Sequence, residues 1–156
     1  MKAPKGNAEK FYSYRLAMEK LKIAIDHRFP LEAIAIEESI ISDRLRAYVE
    51  YIGKLPKWDK CSCGRYLEIY KEELKERNLN TGAFSELHTD IKEWLNKRHK
   101  LIHGIVKTNK AGGIPMILAK DFDEEANKTA EDGREILKKI RKVLENPELS
   151  SKKNEF

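Results

Sequence analysis

Apolar side chains recur every three or four residues through most of this chain, which is the spacing of the buried stripe of an α-helix. Prolines and clustered glycines fall between these runs and mark their ends, because proline interrupts a helix and glycine favours turns. No long run alternates apolar and polar residues as a strand does. The pattern predicts five helices, over about Ala8 to Arg28, Leu31 to Ile52, Gly64 to Arg77, Phe84 to Val106 and Asp121 to Leu144.

The predicted second helix is apolar on two faces. Ile34, Ile41 and Leu45 share one stripe, while Ala33 and Ile40 lie on a neighbouring face. Such a helix is either central in the fold or at a subunit interface. Short connections between successive helices favour antiparallel neighbours. The expected fold is therefore all-α, an up-and-down bundle of four to five helices, as a single domain over 1–149 with a polar C-terminal tail over 150–156.

The segment around the last predicted loop carries two local patterns. The runs 105–107 and 116–118 flank a glycine-containing turn and offer the two strands of a small β-hairpin. Asp121 and Glu124 have the spacing of a capping box, which predicts that the fifth helix starts near Asp121.

Composition narrows the class of protein. The 156 residues suit one domain, and 31 Lys and Arg against 26 Asp and Glu give a net charge of +5, which favours polyanionic partners. No apolar run approaches the ~20 residues of a membrane helix, and the N-terminal residues lack the apolar stretch of a secretory signal. We therefore expect a cytoplasmic protein without a membrane partner.

The two cysteines are Cys61 and Cys63, separated by one residue. They are too close for a comfortable structural disulfide and too few for a closed zinc site, which needs four ligands. Two reduced thiols at a helix start are the expectation, and a zinc ion shared between subunits is the alternative. No metal and no cofactor are predicted.

Candidate chemistry concentrates between Trp94 and Gly104 in the predicted fourth helix. His99 and His103 are four residues apart and share a helix face, whereas Arg98 and His103 are five apart, about 140° around the axis. One straight helix cannot aim both at one small group. Either the helix is distorted near Gly104, or two copies of the helix face each other in a homodimer, and we favour the dimer.

Paired histidines from two subunits would supply a general base and a general acid without a metal, since imidazole titrates near pH ~6.5. Two arginines would stabilise the negative charge on a phosphoryl group in transfer. This set of groups suits cleavage of RNA by its own 2′-hydroxyl, and the mildly basic surface would attract the RNA backbone.

The run from Arg98 to His103 resembles the motif of the HEPN family, helical-bundle domains whose ribonuclease members carry arginine, a polar residue, three to five residues and histidine. Here His99 is the polar residue, and Gly104 follows the histidine as it often does in the family. The resemblance implies a metal-independent endoribonuclease that acts as a dimer, in toxin, antiviral or abortive-infection roles, with an antitoxin or regulatory protein as a partner. Ile105 stands where toxins with nucleotidyltransferase antitoxins typically carry tyrosine, so modification at that position is not expected.

Other residues complete the candidate site. Glu38 falls on the buried stripe of the second helix, and it either orients Arg98, pairs with another cation, or is exposed by rotation of the helix. Lys97, Lys100 and Lys107 flank the motif and are candidates for RNA binding, with a solvated face as the alternative. Arg98 and His103 also have structural interpretations, as a stripe-edge side chain and a helix-end histidine. The competing function is a noncatalytic helical module that binds protein or nucleic acid.

Overall fold

The computed structural model describes residues 7–57, 61–104, 113 and 117–150. Within these residues every element is an α-helix and there is no strand, which confirms the predicted all-α class. The five predicted helices are present, and each end agrees within two residues. A short sixth helix was not predicted, and it buries Leu149. The elements are α1 (Ala8–Asp26), α2 (Pro30–Tyr51), α3 (Cys63–Glu76), α4 (Gly82–Gly104), α5 (Ala119–Leu144) and α6 (Pro147–Ser150).

Local chemistry explains several helix ends. The side chain of Asn7 accepts a hydrogen bond from the backbone N–H of Lys10 at 3.0 Å and caps α1. Pro30 occupies the first turn of α2, where its missing N–H costs nothing. Beyond the ends of α1 and α3, Arg28 and Asn78 adopt a left-handed backbone with φ of 56°, which stops each helix.

Helices α2, α3, α4 and α5 pack as a closed ring, and α1 lies outside it. In the ring α2 contacts α3, α3 contacts α4, α4 contacts α5, and α5 returns to α2; α1 packs on α2. The prediction that α2 is central is therefore confirmed. Helices α4 and α5 are antiparallel, since Lys97 meets Asp132 and Asp90 meets Lys139.

The up-and-down alternation does not hold between α2 and α3, which run in the same direction. Cys63 at the start of α3 lies near Glu38, and Tyr70 further along α3 packs its ring 5.8 Å from that of Tyr48. The expectation of a short antiparallel connection was wrong here because residues 52–62 separate the two helices. Eleven extended residues can span roughly 36 Å, longer than the roughly 21 Å of α3.

The second apolar face of α2 is covered within the chain. Ala33 and Ile40 are buried, and α1 packs along α2, with Lys10 and Tyr14 both contacting Asp43. Ala33 and Ile40 are therefore buried within one chain and are not free to add area to a dimer interface, and the dimer itself stays a prediction.

The start of α5 differs from the expectation. The helix begins at Ala119 after Leu118, whose side chain makes no capping hydrogen bond, so Asp121 lies in the first turn instead of at the N-cap. The predicted capping box is wrong. Most of the predicted hairpin lies outside the described residues, as does the predicted tail beyond Ser150, which is the last residue of α6.

A carboxyl group lies buried at the centre of the bundle. Glu37 of α2 is fully buried, and neither of its carboxyl oxygens has a hydrogen-bond partner. The carboxyl occupies the space that a β-carbon on Gly133 of α5 would fill, beside the indole of Trp94 from α4. Burial raises the pKa of Glu37 to about 9, while the Arg134 guanidinium opposes the shift and Asp132 adds to it. Glu37 is therefore protonated at neutral pH.

This buried acid makes stability depend on pH. The pKa of Glu37 is higher in the folded protein than in the unfolded chain. Its contribution to the free energy of unfolding is therefore fully present at low pH and falls as the pH rises from about 5 to 9, by up to about 1.4 kcal/mol per pH unit. Urea unfolding across that range measures the slope. We expect Glu37→Gln to flatten it, because glutamine does not ionise.

Glu72→Gln, at an exposed carboxyl of α3, is the matched control and should keep the slope. Glu73 does not act in this range: burial alone would raise its pKa, but hydrogen bonds from Lys54 and Arg77 hold that pKa below its ordinary value. Its contribution is lost only as the pH falls through that lowered pKa. An unchanged slope in Glu37→Gln would mean that Glu37 is already ionised in the fold.

Candidate functional site

The arginine and histidines of the motif lie in the last two turns of α4. The helix is α-helical up to Gly104 and buries Leu87, Ile91 and Trp94 against its neighbours. Arg98 lies at the edge of this stripe, on the side that faces α2, and its side chain is 28% exposed. It is therefore held by the bundle and still accessible from one side.

Arg98 forms an ion pair with Glu38 of α2. Its Nε lies 2.6 Å from Oε2 of Glu38, whose side chain is 27% exposed. The Nε atom is buried and makes no hydrogen bond of standard geometry. The contact with Glu38 is therefore an ion pair without a directed hydrogen bond. Of the three alternatives for Glu38, the structure shows the one in which it pairs with Arg98. The contact fixes the position of the guanidinium at the point where α2 and α4 meet.

His99 and His103 lie against each other one turn apart. Their ring centroids are 4.7 Å apart with an angle of 55° between the planes. His99 is exposed and His103 is half-buried. The two imidazoles therefore share one face, as predicted. Because α4 is helical through Gly104, the offset of about 140° between Arg98 and His103 is retained within one chain.

The flanking lysines lie on the other side of α4. At about 100° per residue, His99 is displaced from Arg98 in one direction around the helix and Lys97 in the opposite direction. Lys97 pairs with Asp132 of α5 at 2.9 Å, and Lys100 lies 3.6 Å from Glu125 of α5. Both pairs are exposed and therefore weak. RNA binding by Lys97 and Lys100 stays a prediction, and Lys107 lies outside the described residues.

An open groove begins at Glu38 and extends along α2 and the start of α3. We call it the α2–α3 groove, and its volume is about 480 Å³. Its polar walls bring together hydroxyl groups, one guanidinium, two thiols and two carboxylates close to the Arg98 ion pair. The polar side chains that line it are Glu38, Ser39, Ser42, Asp43, Arg46, Cys61, Ser62 and Cys63.

Cys63 is the first residue of α3 and Cys61 lies two residues before it, so the predicted position at a helix start is confirmed, and the two form no disulfide with each other. Burial raises the pKa of the Cys63 thiol to about 12; the Glu38 carboxylate raises it as well, and the Arg98 guanidinium lowers it. A thiol with so high a pKa is a poor nucleophile and metal ligand at neutral pH. Among the described residues, no three His, Cys, Asp or Glu side chains are grouped to hold a metal ion.

Glu37 is the residue at the centre of the fold that the sequence interpretation missed. It lies three residues after Ile34 and four before Ile41. Glu37 therefore falls on the buried stripe, and so does Glu38. The signal was present in that spacing. The two neighbouring carboxyls differ because Glu37 faces Gly133 of α5, whereas Glu38 faces Arg98 of α4.

Comparison with known proteins adds no assignment: no family model, curated protein or solved structure matches this chain. In the part of the chain that the structure describes, no helix combines the length and apolar character needed to cross a membrane.

Proposed function

We propose that this protein is a metal-independent endoribonuclease of the HEPN type, with Arg98 and His103 as its catalytic residues and His99 in support. The observation that carries the proposal is the ion pair between Glu38 and Arg98, beside the two adjoining histidines. An arginine fixed by a carboxylate and still partly exposed is suited to stabilise a phosphoryl group without reorganisation. Histidines at the surface are suited to move protons near neutral pH.

The reaction needs only proton transfer and charge stabilisation. One imidazole takes the proton of the 2′-hydroxyl, and the 2′-oxygen then attacks the adjacent phosphorus. The bond from phosphorus to the 5′-oxygen breaks, and a second imidazole gives that oxygen a proton. The products carry a 2′,3′-cyclic phosphate and a 5′-hydroxyl. Arg98 binds the phosphoryl oxygens while their negative charge increases.

The proposal includes a homodimer. Arg98 and His103 point about 140° apart on one helix, so a site at a two-fold axis between two copies of α4 is the simplest way to bring them to one phosphate. The exposed Ile102 lies between them in the sequence and supplies apolar surface for such a contact. RNA, a second copy of the chain and an antitoxin or regulatory protein are the proposed partners, and the cytoplasm is the proposed compartment.

We expect the purified protein to cleave single-stranded RNA in the presence of excess EDTA. The mechanism uses imidazole and guanidinium groups only, so chelation should leave the rate unchanged. Mass spectrometry of the products should find 2′,3′-cyclic phosphate ends. The matched control is an oligonucleotide of the same sequence with 2′-deoxyribose, which lacks the attacking hydroxyl and should stay intact.

Loss of cleavage in EDTA would contradict the metal-free mechanism. Complete failure to cut any RNA would favour the noncatalytic binding module instead. Light scattering at micromolar concentration tests the dimer in the same preparation: a strict monomer of 18.2 kDa that cleaves RNA would contradict the shared site and favour a distortion of α4 near Gly104.

A further inference from the structure

The two sides of α4 differ in charge, and this inference rests on the proposed function. On the side of α5, the surface groove between α4 and α5 is lined by four carboxylates and two lysines. The carboxylates belong to Asp90, Glu93, Asp132 and Glu135. A phosphate backbone is repelled by such a surface, because its net charge is negative even with both lysines charged.

The α2–α3 groove lies on the other side and presents different chemistry. Its lining also holds more acids than cations, two carboxylates against Arg46, but cations outside the lining neutralise both acids: Glu38 pairs with Arg98, and Asp43 pairs with Lys10 and accepts a hydrogen bond from the hydroxyl of Tyr14. Arg46 lies on the same wall with its side chain 35% exposed, at 3.6 Å from Glu50. That contact joins a half-buried and an exposed residue one turn apart on α2 and is therefore weak.

Arg46 follows Glu38 by eight residues, which places the two about 12 Å apart along α2. An RNA strand whose reacting phosphate lies at Arg98 can therefore place another of its phosphates at Arg46. Ser39 and Ser42 lie between them on the same wall, and hydroxyl groups are common hydrogen-bond donors to phosphate oxygens. The groove follows two helices packed roughly 10 Å apart, which suits one strand better than a duplex.

We propose that the α2–α3 groove binds single-stranded RNA next to the cleavage site, and that Arg46 contacts a phosphate beside the one held at Arg98. The strand enters the site along α2, with Ser39 and Ser42 as hydrogen-bond donors to its backbone. The lysines on the side of α5 do not guide it.

Fluorescence anisotropy tests this proposal with a labelled single-stranded RNA whose 2′-positions are methylated, so that it binds without being cut. We expect Arg46→Gln to weaken the affinity roughly fivefold to tenfold, because one charge-assisted contact to phosphate is lost. The dependence of the affinity on salt should decrease by about one phosphate contact. Arg15→Gln on α1 is the matched control, and it should leave the affinity within about twofold.

Equal affinities for Arg46→Gln and Arg15→Gln would overturn the proposal, as would a larger loss in Lys97→Gln, which would locate the strand on the side of α5. A change of oligomeric state in Arg46→Gln would assign the groove to the subunit contact and also overturn the proposal.

Cleavage of unmodified RNA, measured in parallel, separates the two proposals. If wild-type protein cleaves and Arg46→Gln binds normally, only the groove proposal fails. If wild-type protein binds through Arg46 without cleaving, only the nuclease proposal fails.

Discussion

Replacing His103 with alanine should reduce RNA cleavage by about 10²- to 10⁴-fold while the helical fold is retained. The loss follows because imidazole transfers the protons of the proposed reaction and alanine cannot. Arg98→Ala should reduce cleavage by about 10²- to 10³-fold, since it removes the cation that stabilises the phosphoryl group. The measurement is the single-turnover rate on a labelled RNA, with far-UV circular dichroism recorded on the same samples.

His27→Ala is the matched control, because His27 is an exposed histidine at the end of α1 and not on the helix that carries the motif. It should keep wild-type activity. The Arg98 variant should lose about 1 kcal/mol of stability or less, since both members of its ion pair with Glu38 are partly exposed. Loss of the helical signal in either variant would show that a structural residue had been assigned a catalytic role.

Gly133→Ala should destabilise the protein by about 1–3 kcal/mol, although alanine favours helices over glycine by about 1 kcal/mol. The added β-carbon would overlap Oε2 of Glu37 and lie 2.8 Å from Nε1 of Trp94. Both neighbours are enclosed, and the indole is also held by a hydrogen bond to the carbonyl of Thr129. The overlap must therefore be relieved by moving helices. The midpoint of urea unfolding measures the change.

Gly64→Ala in α3 is the matched control, because its β-carbon would meet only the hydroxyl of Ser62 at an ordinary 3.7 Å. It should leave the midpoint unchanged or raise it. The double variant Glu37→Ala/Gly133→Ala should be more stable than the sum of the two single changes predicts, since the carboxyl that overlaps the new methyl group is absent. Equal midpoints for the two single glycine variants would contradict the close approach of α2 to α5.

Periodicity along the chain was sufficient to predict the helices, because it depends on which residues share a face, and that is a local property of the sequence. It gave the pairing of Glu38 with Arg98 only as one of three alternatives, because a contact between two helices depends on how they pack. The direction of α3 was not predictable in this way, because the residues between α2 and α3 are compatible with either direction. The same limit applies to Glu37: the stripe contains both carboxyls, and only the position of Gly133 on α5 decides which one is buried without a partner.

The sequence alone also did not show which charged residues lie near the α2–α3 groove. Lys97 and Lys100 flank the motif in the chain, yet they pair with acids of α5 that are about 30 residues away in the sequence and adjacent only in the fold. Arg46, in contrast, precedes the motif by a whole helix and reaches the same region because α2 and α4 meet at Glu38. Proximity along the chain therefore does not show with which acids a charged side chain pairs.

The contact between Glu38 and Arg98 joins two residues that are sixty positions apart, so it forms only after α4 has been synthesised and has docked on α2. A nascent chain that ends before α4 contains neither the arginine nor the two adjoining histidines. Under the proposed function, an unfinished polypeptide on the ribosome therefore has no site with which to cut the RNA around it. The order of the helices thus delays activity until α4 has been translated, and truncation products that end before α4 lack the proposed catalytic residues.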